Sequence, residues 1–303
     1  MRVLISGTGG FLGRALSERL NDLGHEVLSL KRPSSSQNLG AGAIAWSPLE
    51  GVEDPTPMEG LDCVFHLAGR SIGQRRWNSS EKELIRSSRV TATQLLTQQL
   101  SELRDPPKVF LSASATGFYG QNCSVPVDES SPAGEDFLAR VAAEWENAAG
   151  PLVANDGTRC VHCRFGVILG REGGALARML PIFRLGLGGR LGDGQQIWSW
   201  ISLEDCVSSL VWLAKQPKAA GAFNIVSPGA VSNEEFTRSL AAALGRPAWF
   251  AVPKFLLRLA FGEMADAVLL GNCHAIPAKL MAGDFQFEAP ELGPFLEAEL
   301  AKK

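Results

Sequence analysis

The chain has no block of basic residues. Its 29 Lys and Arg are outnumbered by 32 Asp and Glu, giving a net charge of -3. That leaves no electrostatic footprint for a nucleic acid. No apolar run is long enough to span a bilayer, and the N-terminus enters a strand-like run at once, with charge at Arg2. Neither a membrane partner nor a secretory signal is expected. A cytoplasmic protein is the default, and an organellar one with its transit peptide removed fits the same facts. Cysteines are few and scattered: Cys63, Cys123, Cys160, Cys163, Cys206 and Cys273. Only Cys160 and Cys163 form a C-x-x-C, inside an apolar run that reads as a strand. Residues three apart on a strand point to opposite faces, which suits neither chelation nor a disulfide. No second pair completes a zinc site, so no metal is expected, and the thiols read as buried in a reducing compartment. Tyrosine is scarcer still, with Tyr119 the only one. No internal repeat or low-complexity tail is present.

What the chain does have begins at its first residues. With 303 residues, 45% of them hydrophobic and 20% charged, it can form one large α/β domain or two coupled ones. Residues 2–6 read as a short buried strand and 11–23 as a helix, with Gly7, Gly10 and Gly13 between and within them. Gly7 allows a sharp turn after the strand. Gly10 leaves room for a phosphate, and Gly13 lets the helix pack close to the sheet. The free N–H groups and the positive end of the helix dipole then face an anion. Gly7, Thr8, Gly10, Phe11, Leu12 and Gly13 are therefore the expected contacts of a dinucleotide pyrophosphate.

Residues 26–30 read as the second strand, followed by Lys31, Arg32 and a polar loop over 34–42. In a dinucleotide fold the tip of this strand meets the adenosine ribose, where a carboxylate would select a 2′-hydroxyl. Two cations stand there instead. Arg32 can fork a 2′-phosphate and Lys31 adds a point charge, which favours NADP(H) over NAD(H). A short strand at 43–46, an irregular Pro-rich stretch and a fourth strand over 61–69 follow. Leu67, Ala68 and Gly69 would bring backbone close to the cofactor, and His66, flanked by apolar residues, reads as structural. A long helix is expected from Arg75-Arg-Trp77 to about Leu100, with Arg86 and Arg89 on neighbouring positions of one face. Arg89 precedes an apolar face and is the candidate to reach the cofactor's phosphates. An apolar strand from Val109 then runs into Ser112, Ser114 and Tyr119. Ligands of an open parallel sheet bind at the carboxyl ends of its strands, so these hydroxyls stand at the edge where chemistry is done.

Gly7-x-x-Gly10-x-x-Gly13, His66-Leu-Ala-Gly69 and Ser112-Ala-Ser-Ala-Thr-Gly-Phe-Tyr-Gly120 together resemble the extended short-chain dehydrogenase/reductases, the nucleotide-sugar epimerase group. Further matches include Arg75-Arg-Trp77, Ser88-Arg89, Trp145-Glu146, Arg164 to Gly170, Arg184 to Gly189 and Trp198 to Asp205. These are similar to the "epimerase family protein" branch with a C-terminal domain of unknown function, and the resemblance covers nearly the whole chain. It implies a Rossmann-type α/β fold, a doubly wound parallel sheet, with a smaller, mainly helical C-terminal lobe. The expected division is 1–224 for the NADP-binding domain, including a substrate-side segment at about 171–200, and 225–303 for the cap. It also implies Val167 against the nicotinamide, a small-molecule carbonyl or nucleotide-sugar-like substrate, and a possible homodimer through helices flanking the central strands.

One expected feature is missing. The family's catalytic unit is a Ser or Thr plus Tyr-x-x-x-Lys, in which the lysine lowers the pKa of a proton-carrying tyrosine. No Tyr-x-x-x-Lys exists here, since the residue four beyond Tyr119 is Cys123. Aligning Trp145-Glu146 with the family's helix puts Leu138 and Ala142 where the Tyr and Lys would stand. Ser114 matches the family's Ser/Thr and is the first catalytic candidate, with Tyr119 the second. Arg140 supplies charge on that helix but shuttles no proton near neutral pH. Beyond it, the glycine-rich stretch 176–189 reads as a mobile segment. Trp198 and Trp200, two apart, would share a strand face that either stacks on substrate or packs under the C-terminal part. Helices are expected at 233–244 and 254–270. Two readings follow: an NADP(H)-dependent oxidoreductase or epimerase-like enzyme, and a non-catalytic NADP(H)-binding redox sensor or regulatory protein.

Overall fold

The structure, a computed structural model, describes residues 1–32, 40–123, 125–154 and 157–302. Most of the loop expected at 34–42 lies outside the described residues. The N-terminal part runs β1 (Arg2–Ser6), α1 (Phe11–Asp22), β2 (Glu26–Lys31), β3 (Ala43–Ser47), β4 (Gly51–Val52), β5 (Cys63–His66), α2 (Ser79–Ser87), α3 (Val90–Ser101) and β6 (Val109–Ala115). It continues through α4 (Phe137–Asn147), α5 (Gly150–Val153), β7 (Arg159–Phe165), β8 (Val167–Gly170), α6 (Gly174–Arg184), β9 (Gly189–Leu191), β10 (Ile197–Trp198), β11 (Trp200–Ser202), α7 (Leu203–Lys215) and β12 (Gly221–Ile225).

Eight strands form one sheet in the order β12-β7-β6-β5-β1-β2-β3-β4. All neighbours are parallel except β3 and β4, which pair antiparallel. The chain runs outward from β1 through β2 to β3, then returns to the other side of β1 at β5. That reversal opens a crevice above the carboxyl ends of β1 and β5, where the Gly7 turn and residues 67–69 lie. Strand residues alternate between the two faces, as a sheet covered on both sides requires. Val3, Ile5, Phe65 and Leu111 enter one apolar cluster with α1 and α7, whereas Leu4, Val64 and Phe110 enter another with α3 and α5. Cys163 belongs to the first cluster and Cys160 to the second. The C-x-x-C is thus split across the sheet, which is why it cannot chelate.

Three expected elements differ. The helix from 75 to 100 is two helices. Asn78 caps α2 by accepting from Glu81 N at 2.8 Å, which leaves Arg75 to Trp77 outside it. The chain breaks again at 88–89, where the Ser88 hydroxyl and the Arg89 guanidinium both turn back to the Ile85 carbonyl, a helix-end acceptor. Residues 174–184 of the supposedly mobile segment form a helix, because Leu176, Leu180 and Phe183 fall on one face and are buried. The helix expected at 254–270 stops at Phe261, because Gly262 follows with a φ of 63° outside the helical region.

The C-terminal part adds β13 (Val231–Ser232), α8 (Asn233–Ala243), β14 (Phe250–Val252), α9 (Lys254–Phe261), α10 (Ala278–Ala282) and α11 (Leu292–Ala301). Ser202 caps α7, accepting from Asp205 N at 2.9 Å. The buried Asp205 carboxylate accepts from the backbone N–H of Glu288 (2.8 Å) and Ala289 (2.9 Å), strapping the terminal segment to the sheet layer. Leu280 and Phe285 complete the core beside β12, while Leu292 and Leu296 pack with α6 and α8 in a third cluster. No described helix is long and apolar enough to cross a membrane.

Candidate functional site: a cleft with a donor end and an acceptor end

A cleft of about 540 Å³ lies over the crevice. One end is the glycine turn. Gly7 has a φ of 81°, open to glycine at no cost, and a Cβ there would meet the 67–68 backbone at 3.0 Å. A Cβ on Gly13 would stand 2.2 Å from the Gly7 carbonyl, so helix and turn approach as only glycine permits. Gly10 is the helix N-cap and brings no side chain to the first N–H groups. The backbone donors of Phe11, Leu12 and Gly13 are therefore available to an anion, reinforced by the helix dipole.

Below this turn, a buried chain of polar groups fixes residues 67–68. The N–H groups of Leu67 and Ala68 donate to Ser6 Oγ at 3.0 and 3.1 Å. With both lone pairs taken, Ser6 donates to His66 Nδ1 at 2.8 Å, and His66 Nε2–H donates to Thr93 Oγ1 at 3.0 Å. Trp145 Nε1 also donates to Thr93 Oγ1, at 2.9 Å. The imidazole is neutral in this arrangement, and burial pulls its pKa down to about 4. His66 is a structural histidine.

Arg89 stands at the same end. Its Nη1 donates to the Ile85 carbonyl and its Nη2 to the Arg70 carbonyl, at 3.0 and 2.9 Å. The guanidinium lies 5.2 Å from the Trp145 ring. Among the described residues no carboxylate pairs with it, and burial pulls its pKa down to about 10, still cationic at neutral pH. A half-buried cation without an acid, beside unpaired helix N–H groups, matches a phosphate. Arg70, by contrast, is paired with Glu81 through two bonds of 2.6 and 2.9 Å, which hold the Glu81 carboxyl below its ordinary value.

The other end is built from β6, α4, β7 and the turn after β6. Ser114 lines the cleft, and its hydroxyl donates to Glu146 Oε1 at 2.7 Å. Arg164 grips the same carboxylate bidentately, Nε to Oε1 and Nη2 to Oε2, both at 2.8 Å. Both carboxylate oxygens thus accept, and the single Ser114 hydrogen points away from the cleft. Ser114 Oγ presents lone pairs to whatever binds. Arg164 also donates to Tyr119 Oη at 2.9 Å, and Tyr119 donates to Asn224 Oδ1 at 2.7 Å. Burial pushes the phenol up to about 12, against the pull of Arg164. Tyr119, the second catalytic candidate, is thus placed as a strut. Its hydroxyl is consumed in the network, and its side chain lies outside the cleft lining.

The structure brings together Gly7, Gly10, Phe11, Leu12, Gly13, Leu67, Gly69, Arg89, Ser114 and Val167 around the cleft. Thr8, Ala68 and Ser112 lie outside its lining. Ala68 contributes through its N–H, and the Ser112 hydroxyl is buried against the Ala113 carbonyl at 3.3 Å. Lys31 and Arg32 are exposed at the carboxyl end of β2, beside the β1 turn because β2 pairs with β1 up to Ser6–Leu30. Leu138 and Ala142 both face the cleft, so the wall where the family carries Tyr and Lys is apolar. Trp198 and Trp200 belong to separate short strands. Trp200 stacks on Phe295 and Trp198 lies tilted against Phe236, both at 5.3 Å in the third apolar cluster, and Trp198 also lines the cleft. Glu146, Arg164 and Asn224 were not among the expected site residues, although Glu146 and Arg164 lie in matched motifs. Glu146 is the one with a usable hint, an acid one residue beyond a buried tryptophan on the helix that faces β6.

The family described as NAD dependent epimerase/dehydratase matches residues 3–226. The chain belongs to this family. It is an extended short-chain dehydrogenase/reductase, and a domain of unknown function, DUF1731, matches residues 252–299. An epimerase family protein of Mycobacterium bovis is 40% identical over 296 residues, covering 97% of this chain and 96% of that one. The human epimerase family protein SDR39U1 is 36% identical over 304 residues, covering 99% and 100%. A crystal structure of human SDR39U1 (isoform 2) with NADPH superposes with a TM-score of 0.92 at 35% identity, covering the whole of both chains.

Proposed function

We propose that the protein is an NADP(H)-dependent oxidoreductase or epimerase-like enzyme in which Ser114 and Glu146 handle the proton that the family's Tyr-Lys pair usually carries. The observation that carries this reading is the 2.7 Å bond from a cleft-lining hydroxyl to a clamped, largely buried carboxylate. Bound NADP(H) supplies or accepts the hydride. A substrate hydroxyl donates to Ser114 Oγ. As its proton moves to Oγ, the Ser114 proton moves to Glu146 Oε1, and the reverse path protonates a carbonyl oxygen. Leu138 and Ala142 keep that wall dry, which strengthens each of these bonds. The free donors at residues 11–13 and the Arg89 cation suit the pyrophosphate. Lys31 and Arg32, at the tip of β2, suit a 2′-phosphate and support NADP(H) over NAD(H). The bound NADPH of the human relative favours the same choice. The substrate is a small carbonyl or nucleotide-sugar-like molecule.

The test is a screen of small carbonyls and nucleotide sugars, read by the near-ultraviolet absorbance of NADPH. A substrate found this way should lose about tenfold or more in turnover with Ser114→Ala and with Glu146→Gln, while NADPH affinity is retained. An unchanged rate in both variants would remove the pair from the mechanism. The apolar Leu138–Ala142 wall favours the second reading, a non-catalytic NADP(H)-binding redox sensor, and NADPH binding without any turnover across the screen would select it.

A further inference from the structure

Two cysteines that sequence separates widely are brought side by side at the edge of the cleft. Asn122 and Asn272 form an isolated parallel bridge. The Cys123 N–H donates to the Asn272 carbonyl at 3.0 Å, and the Asn272 N–H donates to the Gln121 carbonyl at 2.7 Å. The Asn272 side-chain Nδ2 closes the junction on the Cys123 carbonyl at 2.9 Å. Cys123 and Cys273 each stand one residue beyond this bridge. Lateral neighbours of a parallel pair point to the same side, with Cα atoms about 5 Å apart. That lies within the window of about 4.4–6.8 Å that a disulfide spans without backbone movement. The two side chains pack in one apolar cluster, where the Cys123 thiol lies 3.7 Å from the Tyr119 carbonyl and the Cys273 thiol 3.7 Å from the Thr116 carbonyl. Both side chains are half-buried, whereas Cys63, Cys160, Cys163 and Cys206 are buried in the core. Cys273 forms part of the cleft wall, as do Gly271, Ala267 and Val268 of the same segment. Gly120 and Gln121, which adjoin this segment, line the same cleft.

We propose that Cys123 and Cys273 are a dithiol site for low-molecular-weight disulfides, which oxidise it to an intramolecular disulfide joining the Rossmann body to the C-terminal segment at the cleft wall. The neighbouring Cys273 thiol brings Cys123 down to about 7 against the opposing effect of burial, and Cys273 is raised. Cys123 is therefore the attacking thiolate near neutral pH. It attacks one sulfur of glutathione disulfide, forms a mixed disulfide and expels one glutathione thiolate. Cys273 then gives up its proton, attacks the Cys123 sulfur and expels the second glutathione. Two protein thiols are oxidised and one glutathione disulfide is reduced to two thiols. The four core thiols are pushed up by burial, Cys160 to about 11, and stay inert. The product pins residues 271–273 to residues 120–123, so it slows cofactor exchange. That consequence rests on the NADP(H) reading, whereas the disulfide itself does not.

The full-length protein is incubated with glutathione disulfide near neutral pH and mapped without reduction. The expected product is a peptide linked Cys123–Cys273, with the other four thiols free. Cys273→Ser should accumulate one glutathione adduct at Cys123, because the resolving thiol is gone, and Cys123→Ser should give no linked peptide. Alkylation of Cys123 should outpace that of the core cysteines by about tenfold or more. Absence of the linked peptide in the wild type, or adduct formation spread over the core cysteines, overturns the site. Stopped-flow release of NADPH from the oxidised protein should be slower than from the reduced protein and from Cys273→Ser treated alike. An unchanged release rate with the disulfide present overturns the clamp and leaves the dithiol standing. No NADPH binding in either form would overturn the cofactor reading instead.

Discussion

The two ends of the cleft are built on opposite principles. The glycine-turn end offers hydrogen atoms: unpaired N–H groups at the start of α1 and the acid-free guanidinium of Arg89. The Ser114 end offers lone pairs, because Glu146 takes the one hydroxyl hydrogen. The first end is made largely by one contiguous stretch in which missing side chains matter most. The second is a relay of side chains from β6, the turn after it, α4, β7 and β12, each bonded to the next. A donor end needs only correct backbone geometry, and an anion supplies the rest. An acceptor end must be held by counter-charges, so its failure spreads.

The acceptor end breaks most severely at Arg164, which holds both Glu146 oxygens. Arg164→Met leaves Glu146 buried without its partner and should cost about 3–5 kcal/mol of stability, seen as a lower midpoint in denaturant titration. A loss under 1 kcal/mol would mean that the relay is not a buried ion pair in solution.

The donor end has its own weak point in acid. His66 sits at about 4 in the folded protein, below its value of about 6.5 when unfolded. Below pH 6.5 the unfolded chain takes up a proton that the folded one refuses. Stability should therefore fall as pH drops from about 6.5 to about 4, by about 3 kcal/mol in all, and His66 should add no further slope below that. His66→Gln should flatten this part of the profile, and an identical slope in the variant would acquit the histidine.

Gly13→Ala tests the backbone geometry of the donor end. A Cβ at 2.2 Å from the Gly7 carbonyl forces helix and turn apart. The expected cost is near the top of the about 1–3 kcal/mol range for overpacking, together with loss of NADPH binding in calorimetry. Retained affinity would show that the turn tolerates a wider approach.

Lys31→Ala with Arg32→Ala should cost NADPH about 1–3 kcal/mol of binding and leave NADH nearly unchanged. Equal losses for both cofactors would refute the 2′-phosphate assignment. The smallest effect on stability should be that of Ser114→Ala, about 1 kcal/mol in thermal unfolding, since it removes one hydroxyl while the ion pair survives. A large loss there would make Ser114 a structural residue first.

Much of this molecule was legible in the order of its residues because the relevant physics is local. Gly7, Gly10 and Gly13 between a strand and a helix specify a turn whatever surrounds them. Unbroken apolar runs at 3–5, 63–65 and 109–111 specify strands buried on both faces. Reading 75–100 as one helix failed because the break depends on Asn78 capping one helix and on the Arg89 side chain returning to Ile85. Glycine density at 176–189 suggested mobility, and the buried face of α6 overrode it.

The sequence by itself determined the sheet, the glycine turn, the structural role of His66, the inertness of the C-x-x-C and the absence of Tyr-x-x-x-Lys. Only the tertiary structure decided that the Ser114 hydroxyl donates to Glu146, that Tyr119 is a strut, and that Cys123 lies beside Cys273. The reason is range. Backbone conformation is set by neighbours in the chain, whereas the direction of a hydroxyl hydrogen or the partner of a thiol is set by groups that only folding brings within about 3–4 Å.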